Sequence, residues 1–176
     1  MNANRFLSGL LQLAAVVACS IAASTVYSTI VQAAAADDLP LISAVKSGNT
    51  QATRQLLAEG VDVDARQPDG ATALHWAAHL DSEDLVTLLV TSGADVNAAD
   101  DHGVTALSLA ALNGSVALVQ ILLEAEADPN AARTSGETVL MTAARVGNLD
   151  VVRLLLAAGA SPDATEILLG QTALMM

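Results

Sequence analysis

A nine-residue stretch, Gly70-Ala71-Thr72-Ala73-Leu74-His75-Trp76-Ala77-Ala78, returns at a fixed interval along this chain. Its counterpart Gly103-Val104-Thr105-Ala106-Leu107-Ser108-Leu109-Ala110-Ala111 lies 33 residues on, and Gly136-Glu137-Thr138-Val139-Leu140-Met141-Thr142-Ala143-Ala144 another 33. Gly170-Gln171-Thr172-Ala173-Leu174-Met175-Met176 follows after 34. A unit this short cannot bury its own apolar face, so self-similarity at such a period predicts stacked repeats rather than one closed core. The 176 residues suffice for a sizeable core, and the near absence of aromatics (2%) suits thin elements packed at close range.

Within a unit the pattern reads helix, turn, helix, loop. Thr72 stands where a hydroxyl accepts from an orphan N–H at a helix start. Leu74, Ala77 and Ala78 form the apolar stripe of that helix. Asp81-Ser82 breaks it, and Ser82 is expected to cap the next. Glu83 and Asp84 complement the positive end of the second helix dipole. Leu85, Val86, Leu88 and Leu89 recur at helical spacing, and Gly93 supplies the C′ position. The stretch from Leu39 to Pro68 keeps this register without the Gly-x-Thr opening: Gly48-Asn49 aligns with Asp81-Ser82, and Leu56-Leu57 with Leu89-Val90. An atypical terminal repeat is expected where one face has no neighbour.

These residues resemble the ankyrin repeat family, whose helix-opening pattern is Thr-Pro-Leu-His-x-Ala-Ala and whose loop signature is Gly-Ala-Asp-Val-Asn. Thr72, Leu74, His75, Ala77 and Ala78 match the first, and Gly93, Ala94, Asp95, Val96 and Asn97 the second. The resemblance implies an all-α solenoid of helix-turn-helix units with β-turn loops between them. It sets a degenerate repeat at 37–68, repeats at 69–101, 102–134 and 135–168, and the start of another at 169–176. Ala73, Ala106, Val139 and Ala173 replace the family's proline, at little cost for alanine. Ser108 and Met141 replace His75, so its hydrogen bond is expected to be absent or substituted there. Glu126 stands at the C′ glycine position, where a positive φ would cost about 1 kcal/mol. The last loop, Thr165-Glu166-Ile167-Leu168-Leu169, is one residue longer than its counterparts. The sequence stops inside a first helix without a polar cap, which reads as a fragment of a longer protein.

Residues 1–36 read as an export signal: Arg5 as a positive n-region, an apolar run from Phe6 to Ile21, and Ala33 to Ala36 ahead of Asp37-Asp38. Cleavage after Ala36 is the preferred reading. An uncleaved anchor and a lipoprotein cleaved at Cys19 are the alternatives. Each exports the repeats, to the periplasm or the medium, or leaves them outside the cytoplasm on the inner membrane. Beyond residue 36 the chain carries 6 basic and 19 acidic residues, a net −13. That argues against nucleic acid and anionic lipid, and favours a neutral or basic protein partner. Cys19 is the sole cysteine, so the repeats hold neither disulfide nor thiol nucleophile.

His75 and His79 share a helical face at metal-ligand spacing, but His75 matches the family's structural histidine, and no metal is expected. Asp62, Asp64, Asp95 and Asp128, with Asn97 and Asn130, lack a calcium-loop pattern and read as Asx turns. Trp76 reads as inter-repeat packing, and the sequon Asn113-Gly114-Ser115 as a helix–helix turn. There is no phosphate loop, His-Glu-x-x-His or Gly-x-Ser-x-Gly. No cofactor and no catalysis are expected. The resemblance implies protein recognition on a concave surface. Its loop tips would be Arg66, Gln67 and Asp69; Asp100, Asp101 and His102; and Arg133, Thr134 and Ser135. Its inner-helix positions would be His79, Leu80, Leu112, Asn113, Arg145 and Val146. Leu80, Leu112 and Val146 read as one repeat position and an apolar ridge. The alternative role is the regulatory or targeting portion of a larger enzyme or receptor.

Overall fold

The computed structural model describes residues 39–167 and 170–175. The signal read in residues 1–36, with Cys19, lies outside the described residues, as do Leu168, Leu169 and Met176.

Four helix pairs follow one another among the described residues: α1 Pro40–Lys46 with α2 Thr50–Ala58, α3 Ala73–His79 with α4 Glu83–Thr91, α5 Ala106–Asn113 with α6 Val116–Glu124, and α7 Val139–Val146 with α8 Leu149–Ala157. A single 3-10 turn, Ala173–Met175, opens the next unit and packs on α7. First helices stack in the series α1, α3, α5, α7, and second helices in the series α2, α4, α6, α8. The loops contribute two isolated antiparallel bridges, Ala99 with Thr105 and Ala132 with Thr138. This is the expected layout.

Small side chains set the spacing of the first helices. Ala77, Ala78, Ala110 and Ala111 are fully buried, which lets neighbouring backbones approach closely. Ala144, on the last full pair, is only half-buried. Leu41, Leu74, Leu107 and Leu140 point inward from the first helices, and Leu89, Leu122 and Leu155 meet them from the second. Each such leucine contributes about 1.5–3 kcal/mol by burial. Thr53 is a polar residue in the same core, and its hydroxyl donates to the Asn49 carbonyl at 2.9 Å. The atypical first repeat does keep the family's proline: Pro40 opens α1.

Helix starts divide by side-chain reach. Thr105 and Thr138, with ψ of 165° and 163°, accept from the N–H of Ser108 and Met141. At the second helices α4, α6 and α8 ψ is near 101°. There the longer Asn148 reaches the N–H groups of Asp150 and Val151, while Ser82 and Ser115 make no side-chain cap bond. Ser82 therefore occupies the cap position without capping, which corrects the sequence expectation: with the chain entering at this angle, a hydroxyl is too short. Glu83 and Asp84 still place negative charge in the first turn of α4.

Helix ends use the left-handed region. Gly114 (φ 69°) and Gly147 (φ 81°) terminate α5 and α7. Asp81 adopts φ 54° at the same register after α3, and Glu126 adopts φ 67° after α6. The longer last loop is also evident: Glu166 N–H bonds the carbonyl of Gln171, five residues on, where Arg133 bonds that of Glu137, four on.

Candidate functional site

The loops between repeats are narrow turns closed by their own backbone. Gln67 N–H donates to Ala71, Asp100 to Val104 and Arg133 to Glu137, at 2.9, 3.0 and 2.9 Å. Each is tied to the next: Asp101 N–H donates to the Asp69 carbonyl, Thr134 to His102 and Ile167 to Ser135, at 3.0, 2.9 and 2.9 Å. Side chains stiffen the tips. Asp69 Oδ1 accepts from Ala71 N–H, Asp100 Oδ1 from the N–H groups of His102 and Val104, and Ser135 Oγ from Glu137 N–H. Asp101, His102 and Thr134 stay exposed at the tips.

Between these loops and the first helices lies a groove of about 250 Å³. Trp76 of α3 and Leu109 of α5, one repeat apart in the same register, line it together with Ala71 and Val104. Asp69, Asp100 and Arg133, from three successive loops, contribute its charged lining, and His79 also borders it. Trp76 is anchored through Nε1, which donates to Gln67 Oε1 at 2.7 Å. The Lys46 ammonium lies 4.2 Å from its ring centroid, and the His79 ring meets it edge-on at 5.9 Å. Trp76 thus joins the first repeat to the second, as expected, and also lines the groove, which the sequence reading did not assign.

The groove brings together Asp69, His79, Asp100 and Arg133 of the residues read as contacts. Others are held by bonds within the chain. Arg66 Nη1 donates to the Ala99 carbonyl at 2.9 Å, and Gln67 holds the tryptophan. Glu137 gathers Arg145 at 2.7 Å, Arg133 at 3.7 Å and the Thr142 hydroxyl at 3.2 Å.

The apolar ridge needs correction. Leu80, Leu112 and Val146 are each about two-fifths exposed, but the helix register sets Leu80 with Asn113 and Val146, and Leu112 with His79 and Arg145. Asn113 interrupts the row, and its amide donates to the Ala78 carbonyl at 2.9 Å, sealing the end of the preceding first helix. The sequon's side-chain nitrogen is therefore engaged, and the turn reading of Asn113-Gly114-Ser115 fits.

His75 is buried, with both ring nitrogens occupied. Thr72 N–H reaches Nδ1 at 3.1 Å, with the Thr72 hydroxyl oxygen 2.9 Å from the same atom. A backbone N–H can only donate, so Nδ1 accepts and Nε2 carries the proton that goes to the Val104 carbonyl at 2.8 Å. That spans two repeats. In the third and fourth repeats only the local half survives: Thr105 N–H bonds Ser108 Oγ at 3.0 Å, and Thr138 N–H meets Met141 Sδ at 3.5 Å. Among the described residues no three metal-ligating side chains gather.

The acidic loop residues make Asx turns, Asp62 to Asp64, Asp95 to Asn97 and Asp128 to Asn130. They also do something the sequence reading missed. Asp64 accepts from Asp95 N–H, Asn97 from Asp128 N–H and Asn130 from Ser161 N–H, at 2.9, 2.8 and 2.8 Å. One side-chain rung therefore links each repeat to the next.

Compared with known proteins, the chain matches a family model described as Ankyrin repeats in three copies, over residues 15–100, 41–133 and 85–166. It is also 54% identical over 39 residues to a protein of Rickettsia prowazekii (strain Madrid E) named as an ankyrin repeat protein, RP714. That match covers 22% of this chain and 36% of the relative's length.

Proposed function

This chain belongs to the ankyrin repeat family, and we propose that it binds a protein partner on the face formed by its loop tips and first helices. Ankyrin repeats are generally protein–protein interaction modules and non-catalytic scaffolds. The observation that supports this face is the groove, which draws Asp69, Asp100 and Arg133 from three successive loops beside Trp76 and Leu109. Loops tied to one another by backbone bonds hold those side chains in place before a partner arrives, which lowers the ordering cost of association. The strong negative charge of the chain, −12 overall, favours a neutral or basic partner surface.

Photo-crosslinking side chains test the choice of face. Placed at the exposed tip positions His102 and Thr134, they are expected to give adducts with a protein partner. Placed at Gln120 and Arg153 on the second helices, they are expected to give none. Adducts from the second helices alone would reverse the assignment. We also propose export of the repeats, on the strength of Arg5, the apolar run to Ile21 and the small residues ahead of Asp37. N-terminal sequencing of protein recovered outside the cytoplasm should begin at Asp37. Recovery only from the cytoplasm would dismiss export.

A further inference from the structure

We infer that the groove between Trp76 and Leu109 receives one basic side chain of the partner protein, its aliphatic stem on those two residues and its cationic head between Asp69 and Asp100. This rests on the loop-and-first-helix face being the binding surface. The groove, at about 250 Å³, falls below the roughly 300–1,000 Å³ of drug-sized ligand sites, and suits a single long side chain. Its lining is apolar at Trp76, Leu109, Ala71 and Val104, which suits a hydrocarbon stem. Its charge is unbalanced. Among the described residues neither Asp69 nor Asp100 lies in an ion pair, and their hydrogen bonds to backbone N–H groups all use Oδ1. Asp100 is half-buried and Asp69 exposed, so both carboxylates can be reached from the groove.

The cations nearby do not fill this role. Arg133 shares the groove; its Nη1 lies 3.7 Å from Glu137 Oε2, and its Nε is buried with no hydrogen-bond partner. Lys46 sits against the Trp76 ring and is not among the groove's lining residues. An acidic side chain would face two carboxylates, Asp69 and Asp100, against the single guanidinium of Arg133, so the basic occupant is the one favoured by charge.

Trp76 is the sole tryptophan, so its emission reports directly on the groove. The probes are four capped pentapeptides, alanine throughout except for a central arginine, lysine, citrulline or glutamate. The arginine and lysine peptides are expected to change the emission saturably, and added salt to weaken both. Citrulline keeps the shape of arginine without its charge, and should bind about tenfold more weakly, as should the glutamate peptide. The double substitution Asp69→Asn with Asp100→Asn keeps an Oδ1 acceptor for every loop N–H, so the fold is retained while arginine affinity drops about tenfold. Asp84→Asn, exposed in the first turn of α4 and away from the groove, removes a charge elsewhere and should leave it unchanged. Equal binding of the citrulline or glutamate peptide, or no saturable response to any peptide, overturns the inference. Tip crosslinks without a response to peptides would remove only the groove's occupant, whereas crosslinks from the second helices alone would remove the binding face itself.

Discussion

Asn97 in one repeat and Asp128 in the next are joined by a 2.8 Å hydrogen bond from the backbone N–H of Asp128 to Asn97 Oδ1. The same amide turns its Nδ2 to the Glu126 carbonyl at 3.2 Å. Asn130 repeats the arrangement one unit on, with Ser161 N–H and the Gly159 carbonyl. Asp64 occupies the first rung and accepts from Asp95 N–H, but a carboxylate has no donor to offer the equivalent Gly93 carbonyl. Asp64→Asn should therefore complete the rung and raise stability by about 0.5–1.5 kcal/mol. Asp62→Asn removes the same charge while keeping its Oδ1 bond to Asp64 N–H, and so serves as the control. Urea titration compares the two. An equal gain from both would mean that relief of charge repulsion, not the new bond, is responsible.

Glu126 occupies the left-handed region at φ 67°, where its counterparts Gly60, Gly93 and Gly159 carry no Cβ. The cost to an L-residue is about 1–2 kcal/mol. Asn97 binds the carbonyl of this residue, not its side chain, so the tie survives a change of side chain. Glu126→Gly should gain about 1 kcal/mol once glycine's greater freedom in the unfolded chain is set against the relieved strain. Asp81→Gly, at φ 54°, should gain only a few tenths of a kcal/mol, since aspartate tolerates this region far better. Thermal unfolding of the two variants side by side reads the difference, and no gain at Glu126 would show that its strain is offset by its surroundings.

The repeat period and the in-unit signals were enough to read both helices of each unit, the position of Glu126 and the longer last loop. All of these depend on residues within a few positions of one another or at a fixed period. The rungs from Asp64, Asn97 and Asn130 escaped because their partners lie 31 residues on, and a local Asx turn already accounted for these side chains. The groove escaped for a different reason. Its position in the first helix holds Trp76, Leu109 and Thr142, three unlike residues, so no repeated motif marks it. Arg66, Gln67 and Asn113 looked free in sequence, but bonds to Ala99, Trp76 and Ala78 engage them.

Gly70, Gly103 and Gly136, which open the second, third and fourth units, each face two demands at once. Gly103 has φ 75°, and a Cβ there would stand 2.9 Å from the Ala132 carbonyl oxygen and 3.0 Å from Arg133 Cα in the next loop. Gly93, at φ 89°, has open space around the equivalent point. Gly93→Ala should cost about 1–2 kcal/mol, from backbone conformation alone. Gly103→Ala adds about 1–3 kcal/mol, because the neighbouring backbone must move. That movement would disturb the adjacent bond from Thr134 N–H to the His102 carbonyl. Hydrogen exchange at Thr134 should quicken in Gly103→Ala and stay unchanged in Gly93→Ala. Equal costs in the two variants would remove close approach as the reason for glycine at this position.

His75 closes the start of α3 and reaches the next repeat with one imidazole, through Thr72 N–H and the Val104 carbonyl. His75→Phe fills much of the same space without either bond. The Val104 carbonyl keeps a second donor in Asp100 N–H, so its loss is modest. Thr72 is buried at 1% exposure, and its N–H would have no comparable replacement. The expected loss is about 1–3 kcal/mol, the cost of leaving one buried donor unsatisfied. His75→Ser tests the division of labour, because Ser108 already shows that a hydroxyl at this register can receive the local N–H. That variant should retain protection of the Thr72 amide and lose only the tie to Val104 together with packing volume. Amide exchange at Thr72 separates the two: fast in His75→Phe and slow in His75→Ser. Slow exchange in both would mean that the ring nitrogen is not what holds the start of α3.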